Sequence, residues 1–400
     1  MTEPLPDPNR HPRTRAAADV VLIVCFLVGI TLPGAAHLFT PDDPAAVRSE
    51  NRDPAPPPGR PGTWEALRSF PRRFEAYLDD AFRFRTALVR AYNRLMLFGL
   101  RTSPSDGFLV GEDGWLFCTV NEIVEQHRGL RPATDEELDS ILDVIRRRAD
   151  WLAGEGCRYV AVIAPDKASI HPDRLPDWLR EPPAGPIPLD RLVERARERG
   201  ETALVDVRGR LREVRRRDDD ALLYYPYGTH WNPLGAYHAY HALFARLAAT
   251  DPRLAPVPLE RFSVTPIREL ADSWGRTTHL EEELLQPSFR LERRDAREVV
   301  PRIGAWKTEL RRVWEQDDDA LPTAIVLADS FGENLLPFVV PHFSRTFEVH
   351  GYELDPPLVA VFRPDVVIQV VVERAFRMSA FKMDDVEREF FRRLERRERG

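Results

Sequence analysis

Four short, nearly continuous apolar runs constrain the fold of this chain more than any other feature: Tyr159 to Ala164, Ala203 to Val207, Ala324 to Ala328 and Val366 to Val372. A strand with one wet face alternates apolar and polar residues, whereas a strand covered on both faces reads as a solid apolar run. Helical patterns separate the runs. Thr134 with Glu137 is a capping-box signature, and Leu138, Ile141, Leu142 and Ile145 fall on one helical face behind it. Strand and helix in alternation make βαβ units. The expected fold class is therefore α/β, a mostly parallel sheet flanked by helices. From Asp384 onward, Val386, Phe390 and Leu394 share a stripe amid charges, which predicts a closing helix docked on the domain surface.

The segment ahead of this domain has its own organisation. From Val20 to Leu32 there is no charge, and apolar character continues with interruptions to Phe39, about the 20 residues one helix needs to cross a bilayer. Arg10, Arg13 and Arg15 precede the stretch and Asp42 and Asp43 follow it, so the positive-inside bias keeps the N-terminus in the cytoplasm. The expected order is a cytoplasmic stretch over 1–19, a transmembrane signal anchor over 20–39, a proline-rich tether over 40–62 and the folded domain over 63–400. A signal peptide cleaved near Gly34-Ala35-Ala36 is the competing reading; the long basic region and the spanning length favour the anchor. Trp64, Leu67, Phe70, Phe74, Tyr77, Leu78 and Phe82 recur at three- and four-residue steps, a helix whose first turn Pro71 is expected to break. Phe108 to Phe117 reads as a hairpin turning at Asp113-Gly114.

Composition removes several function classes. With 43% hydrophobic and 30% charged residues over 400 positions, the chain is globular. Its 57 Lys and Arg against 64 Asp and Glu give a net charge of -7, and the runs Arg146 to Arg148 and Arg215 to Arg217 have acidic residues close behind them. Such mixtures read as solvated helix surface, with no nucleic-acid partner. Cys25, Cys118 and Cys157 match no metal-ligand spacing, so neither a metal nor a cofactor is expected, and Cys118 and Cys157 read as free buried thiols.

Two places carry chemistry. In Ala324-Ile-Val-Leu-Ala-Asp-Ser-Phe-Gly-Glu an apolar strand ends at Asp329-Ser330 and a helix starts near Gly332. A serine there sits at the C-terminal edge of a parallel sheet, beside free N–H groups and the positive end of a helix dipole, where an oxyanion can form. By itself the segment reads equally as a capped helix start, with Ser330 the cap. In Tyr224-Tyr-Pro-Tyr-Gly-Thr-His-Trp-Asn-Pro, Asn232 followed by Pro233 is a helix start, which puts His230 in the loop just ahead of it. The dipole end favours the neutral imidazole that a general base requires. By itself, His230 also reads as a packed loop residue.

Taken together and in this order, the two places resemble the signature pair of the alginate O-acetyltransferase family of the AlgJ and AlgX type, with its D-x-H-W-N segment and later G-D-S-F segment. Here these are Gly228-Thr229-His230-Trp231-Asn232 and Ala328-Asp329-Ser330-Phe331. Further similarities are Glu50-Asn51-Arg52, Asp79 to Arg85, Gly111 to Phe117, Ala164-Pro-Asp-Lys167 and Pro364-Asp-Val-Val367 leading to Glu373-Arg374. The resemblance implies an SGNH-hydrolase-like domain, with Ser330 carrying an acyl group, His230 as base, and the N–H groups of Ser330 and Gly332 as oxyanion donors. It also implies acetyl as the acyl group, an exopolysaccharide as acceptor and a membrane-bound O-acyltransferase as donor partner. The expected location is the bacterial inner membrane, single-pass, with the main domain in the periplasm.

One position departs from the family. Gly228 stands where the family has the aspartate that orients the histidine. In serine proteases, replacing the equivalent carboxylate by its amide costs about four orders of magnitude in turnover. Another acceptor (Asp329, Asp166, a backbone carbonyl, Tyr225 or Tyr227), a slow Ser-His dyad, or lost catalysis would each account for the change. A chain without catalysis would be a polysaccharide-binding or scaffold subunit, with Trp115, Trp231, Trp274 or Trp306 stacking on sugars.

Overall fold

The four apolar runs become four neighbouring strands of one sheet, with Tyr159 to Ala164, Ala324 to Ala328 and Val366 to Val372 inside it and Ala203 to Val207 at one edge. The computed structural model describes residues 16, 19–29, 31, 55–81, 85–271, 273–295, 299–302, 310–378 and 380–399. In chain order the strands are β1 (Phe108–Val110), β2 (Leu116–Cys118), β3 (Arg158–Ala164), β4 (Leu204–Asp206), β5 (Phe262–Leu270), β6 (Leu285–Arg293), β7 (Val300–Arg302), β8 (Leu310–Glu315), β9 (Thr323–Ala328), β10 (Arg345–His350) and β11 (Val366–Val372). The principal helices are α1 (Trp64–Ala81), α2 (Arg85–Arg94), α3 (Asp135–Gly154), α4 (Pro188–Glu198), α5 (Arg208–Arg217), α6 (Pro233–Ala248), α7 (Gly332–Val339), α8 (Pro356–Phe362) and α9 (Asp385–Arg399).

The chain divides into two compact units, Met1–Leu95 with Gly275–Leu280, and Met96–Trp274 with Glu281–Gly400. In the first unit residues 19–29 are helical. Among the described residues no helix is long and apolar enough to cross a membrane. Residues 30 and 32–54, the remainder of the expected anchor over 20–39 and most of the tether over 40–62, lie outside the described residues, as does most of 1–19. α1 starts on a side-chain cap, Ala66 N–H to Thr63 Oγ1 at 3.2 Å, and runs straight through Pro71. The predicted break is absent because the carbonyl that Pro71 leaves without a donor belongs to exposed Leu67, where water can serve it.

The second unit is built on a seven-stranded sheet in the order β4-β3-β11-β9-β10-β8-β7. The first five strands run parallel, and β8 and β7 close one edge antiparallel. β11 lies between β3 and β9 and is buried at every position, as its apolar run, broken only by Gln369, requires. β10 escapes the apolar-run criterion because its buried residues include Thr346 and Glu348; the Glu348 carboxylate is taken up by Arg312 of the neighbouring strand β8. β1 and β2 form the expected hairpin, with Asp113 and Gly114 at positive φ in its turn.

Caps and charges correct several details. Thr134 accepts from the Glu137 N–H at 3.2 Å, but the Glu137 carboxylate bonds Arg377 at 2.9 Å, so only half of the capping box forms. In α9 the buried stripe is Glu387 and Phe391 with Phe390 and Leu394 beside them, whereas Val386 is exposed. The Arg146 to Arg148 run is not all solvated surface. Arg148 is fully buried and forms a bidentate pair with Glu387 of α9 at 2.7 and 2.8 Å. Its remaining N–H reaches Gln369 Oε1 at 3.0 Å, and the Gln369 amide donates to Tyr352 O and Ala380 O, so this polar cluster inside the sheet layer is satisfied. Cys118 and Cys157 are free thiols, as expected.

Glu387→Ala strands the Arg148 guanidinium in the interior and is expected to cost about 3–5 kcal/mol, whereas the double variant Arg148→Met/Glu387→Leu recovers most of that loss. Urea unfolding of the three proteins measures both.

Candidate active site

The C-terminal ends of β3, β9 and β11 converge on one rim of the sheet, the edge where open α/β sheets hold ligands. They deliver Asp166 and Lys167, Asp329 and Ser330, and Glu373 and Arg374 respectively. His230 comes to the same rim from the loop ahead of α6. His230 Nε2 lies 2.8 Å from Ser330 Oγ, across a separation of 100 residues, and both residues are half-buried and open to solvent.

What brings two distant loops this close is a set of contacts one residue further along. The Trp231 indole N–H donates to Phe331 O at 3.1 Å, and Asn334 Nδ2 donates back to Trp231 O at 2.8 Å. The Trp231 and Phe331 rings meet edge to face at 5.2 Å, and the His230 ring lies 4.9 Å from Phe331. The following helices pack together as well, Tyr237 and Tyr240 of α6 each 5.7 Å from Phe338 of α7. Asn232 caps α6 by accepting from the Gly235 N–H at 3.0 Å, as its sequence predicts. Gly235 must be glycine, since a Cβ there would stand 2.0 Å from Leu223 O.

The serine turn is equally determined. Asp329 accepts from the Phe331 N–H at 2.8 Å, from the Val372 N–H at 3.1 Å and from the Tyr352 hydroxyl. It is thus the buttress of the turn, and its oxygens are committed away from His230. A Cβ on Gly332 would meet Ala328 Cβ at 2.6 Å, which makes glycine a condition of the tight strand-to-helix passage. The Gly332 N–H donates to Asp329 O at 3.0 Å, so it is not the free oxyanion donor the sequence suggested. The Ser330 N–H has no acceptor among the described residues and keeps that capacity.

The loop bearing His230 is closed by Tyr225 N–H to His230 O at 3.1 Å and Gly228 N–H to Tyr225 O at 3.4 Å. Its carbonyls are held by Lys167, whose buried ammonium donates to Tyr225 O, Pro226 O and Gly228 O. Sequence reasoning noted Lys167 only as part of a short similarity and assigned it no role. Of the substitutes proposed for the missing carboxylate, Asp329 and Asp166 find other partners. Asp166 pairs with Arg374, and burial with Glu269 nearby pushes the Tyr225 phenol up. Trp115, Trp231 and Trp274 are buried rather than presented for stacking on sugars, and Trp306 lies outside the described residues.

Behind the turn, Asp166 and Glu373 form a buried acidic pair. Glu373 Oε2 accepts from the Asp166 N–H and from Ser169 Oγ, both at 2.8 Å, while Asp166 Oδ2 has no partner and both residues line a small cavity. Burial first, and Asp166 second, push Glu373 up to about 7. An acid raised in the folded state contributes stability that is present below its ordinary value of 4.5 and lost as pH rises through about 7. The buried His238 and His342, lowered to about 4 by desolvation, act in the opposite sense, losing stability as pH falls through that value. Glu373→Gln removes only the first effect, so the melting temperature of the variant minus that of wild type should increase from pH 5 to about pH 7 and level off above it. A difference that stays flat shows that Glu373 ionises without penalty.

The chain resembles known proteins over part of its length. Residues 108–303 match the family described as "SGNH hydrolase-like domain, acetyltransferase AlgX", a span that contains Gly228 and His230 and ends ahead of Ser330. The chain is 30% identical over 197 residues to the probable alginate O-acetylase AlgJ of Pseudomonas aeruginosa, covering 49% of this chain and 46% of that one; the match thus spans about half of either protein. Among solved structures, PatB1 of Bacillus cereus aligns over 70% of this chain and 100% of its own, with a TM-score of 0.52 at 12% identity, a likeness of fold. The O-acetyltransferase domain of Pseudomonas putida AlgJ aligns over 72% of this chain and 99% of its own, with a TM-score of 0.47 at 19% identity.

Proposed function

We propose that this chain, which over about half of its length matches the SGNH-hydrolase-like AlgX family and an AlgJ relative, is an alginate O-acetyltransferase-like protein that transfers acetyl groups to an exopolysaccharide through an ester on Ser330. The observation that carries this reading is the 2.8 Å approach of His230 Nε2 to Ser330 Oγ. At that distance the imidazole can take the hydroxyl proton as Oγ attacks the donor's acyl carbon. The Ser330–acyl ester forms, the donor group leaves with the proton from His230, and a sugar hydroxyl, deprotonated by His230, then attacks the ester and frees Oγ. The Ser330 N–H is the oxyanion donor in this scheme, helped by the N-terminal end of α7. A membrane-bound O-acyltransferase is the proposed acetyl donor, and no cofactor takes part. The uncharged stretch from Val20 with its basic flank supports an anchored chain with the main domain in the periplasm. Water as acceptor turns the same residues to hydrolysis, so the acceptor preference depends on water exclusion.

Gly228 favours one other reading, a catalytically impaired polysaccharide-binding or scaffold subunit, because it provides no carboxylate for the imidazole. Hydrolysis of p-nitrophenyl acetate by the full-length chain separates the two. Under the transferase reading His230→Ala lowers kcat/KM by about 10²- to 10⁴-fold and Ser330→Ala removes turnover. If wild type and Ser330→Ala are equally slow while Gly228→Asp gains activity, the chain is the impaired subunit.

A further inference from the structure

A buried lysine that donates to the carbonyl of Gly228, the position of the missing carboxylate, organises the histidine loop. Lys167 opens the short helix Lys167–Ile170 at the C-terminal end of β3, and is 3% exposed. An ammonium has three N–H groups set about one nitrogen, and Lys167 Nζ reaches three carbonyls of a single loop: Tyr225 O at 2.7 Å, Pro226 O at 3.0 Å and Gly228 O at 2.6 Å. Around it stand the rings of Trp115, Phe117 and Trp274, with centroids 5.5, 5.1 and 5.5 Å from the nitrogen. Ring faces attract a cation and exclude water from it. The hairpin that carries Trp115 and Phe117 also reaches the loop directly, through Leu116 N–H to Pro226 O at 2.9 Å.

We infer that Lys167 is a positioning residue for His230: it fixes the place of the imidazole by gripping the backbone of its loop, at the position where a family aspartate would act on the imidazole itself. The inference rests on the acyl-transfer reading of Ser330 and His230. A desolvated ammonium is costly unless its hydrogen bonds are made, and converging carbonyls repel one another unless a cation joins them, so ammonium and loop each require the other. Of the three gripped carbonyls, Gly228 O is two residues from His230, and Tyr225, whose carbonyl is also held, receives His230 O on its N–H. Release of Lys167 therefore frees both ends of the turn that holds the imidazole. A displacement of about 1 Å at such a site costs on the order of 100-fold in rate.

The test uses the full-length chain and p-nitrophenyl acetate hydrolysis, with Ser330→Ala as reference. Lys167→Met and Lys167→Ala should lower kcat/KM by about 100-fold while still melting cooperatively. Methylammonium added to Lys167→Ala should restore activity, and the same concentration of tetramethylammonium, which has no N–H, should not. A lysine that merely stabilised the fold would shift the melting temperature and give no such discrimination between the two cations. Should neither variant fold, Lys167→Arg is read instead: its planar fork cannot set three N–H groups about one point, so kcat/KM falls, and an unchanged value overturns the inference. Wild-type kcat/KM in Lys167→Met, with Ser330→Ala inactive, overturns it and leaves the acyl-transfer reading standing. Equal activity of wild type and Ser330→Ala overturns that reading, and the inference with it.

Discussion

The reciprocal bond between Trp231 and the Phe331–Asn334 turn is the constraint on which the site depends. A hydroxyl and an imidazole 100 residues apart do not hold a 2.8 Å contact by their own attraction, because one exposed hydrogen bond contributes only about 1 kcal/mol net. Here the contact follows from buried neighbours. The indole of Trp231 is wholly enclosed and must place its N–H, and Phe331 O accepts it; Asn334 returns the bond to Trp231 O. The helices behind each loop then press Tyr237 and Tyr240 against Phe338. The half-buried pair inherits a geometry set by a fully buried one.

The same division between buried scaffold and open chemistry governs the charges at the rim. Asp329, which looks from its place beside Ser330 like a reactant, spends its oxygens on two backbone N–H groups and a tyrosine. Arg374 answers Asp166 and lies 5.5 Å from the Phe331 ring, so the guanidinium supports the turn from its far side. Lys167 supports the histidine loop in the same manner. The three strand ends thus contribute five charged groups, and each acts on the backbone, on a hydroxyl or on another charge. Ser330 and His230 present polar atoms to each other across the opening.

The sequence revealed the features that depend on local periodicity and missed those that depend on pairing across the fold. β3, β9 and β11 were legible because strands covered on both faces cannot hide their apolar composition. The start of α6 was legible because Asn232 and Pro233 satisfy its first turn without outside help. β10 was not, since its buried Glu348 makes sense only beside Arg312 of a strand earlier in the chain. Arg148 looked like surface for the same reason, its partner Glu387 being 239 residues away. At the site, the meeting of Ser330 and His230 was readable by resemblance, whereas the engagement of the Gly332 N–H by Asp329 O was not, because turn geometry within three residues leaves no mark on composition.

A buried charge can stabilise or position, and comparison of two such groups shows how these roles differ. Arg148 and Glu387 neutralise each other between α3 and α9, and apolar residues of similar volume could fill the same space at little cost to the fold. No apolar residue can replace Lys167 in that way, because its partners are carbonyls of the main chain and remain when the lysine is gone. Tyr225 O and Pro226 O keep the Gly228 and Leu116 N–H groups, but Gly228 O must turn toward another donor, and turning it moves the peptide planes between Gly228 and Trp231. The imidazole rides on those planes. Where a loop carries a reacting group, the buried charge that satisfies its backbone is therefore coupled to chemistry even without touching the reacting atoms.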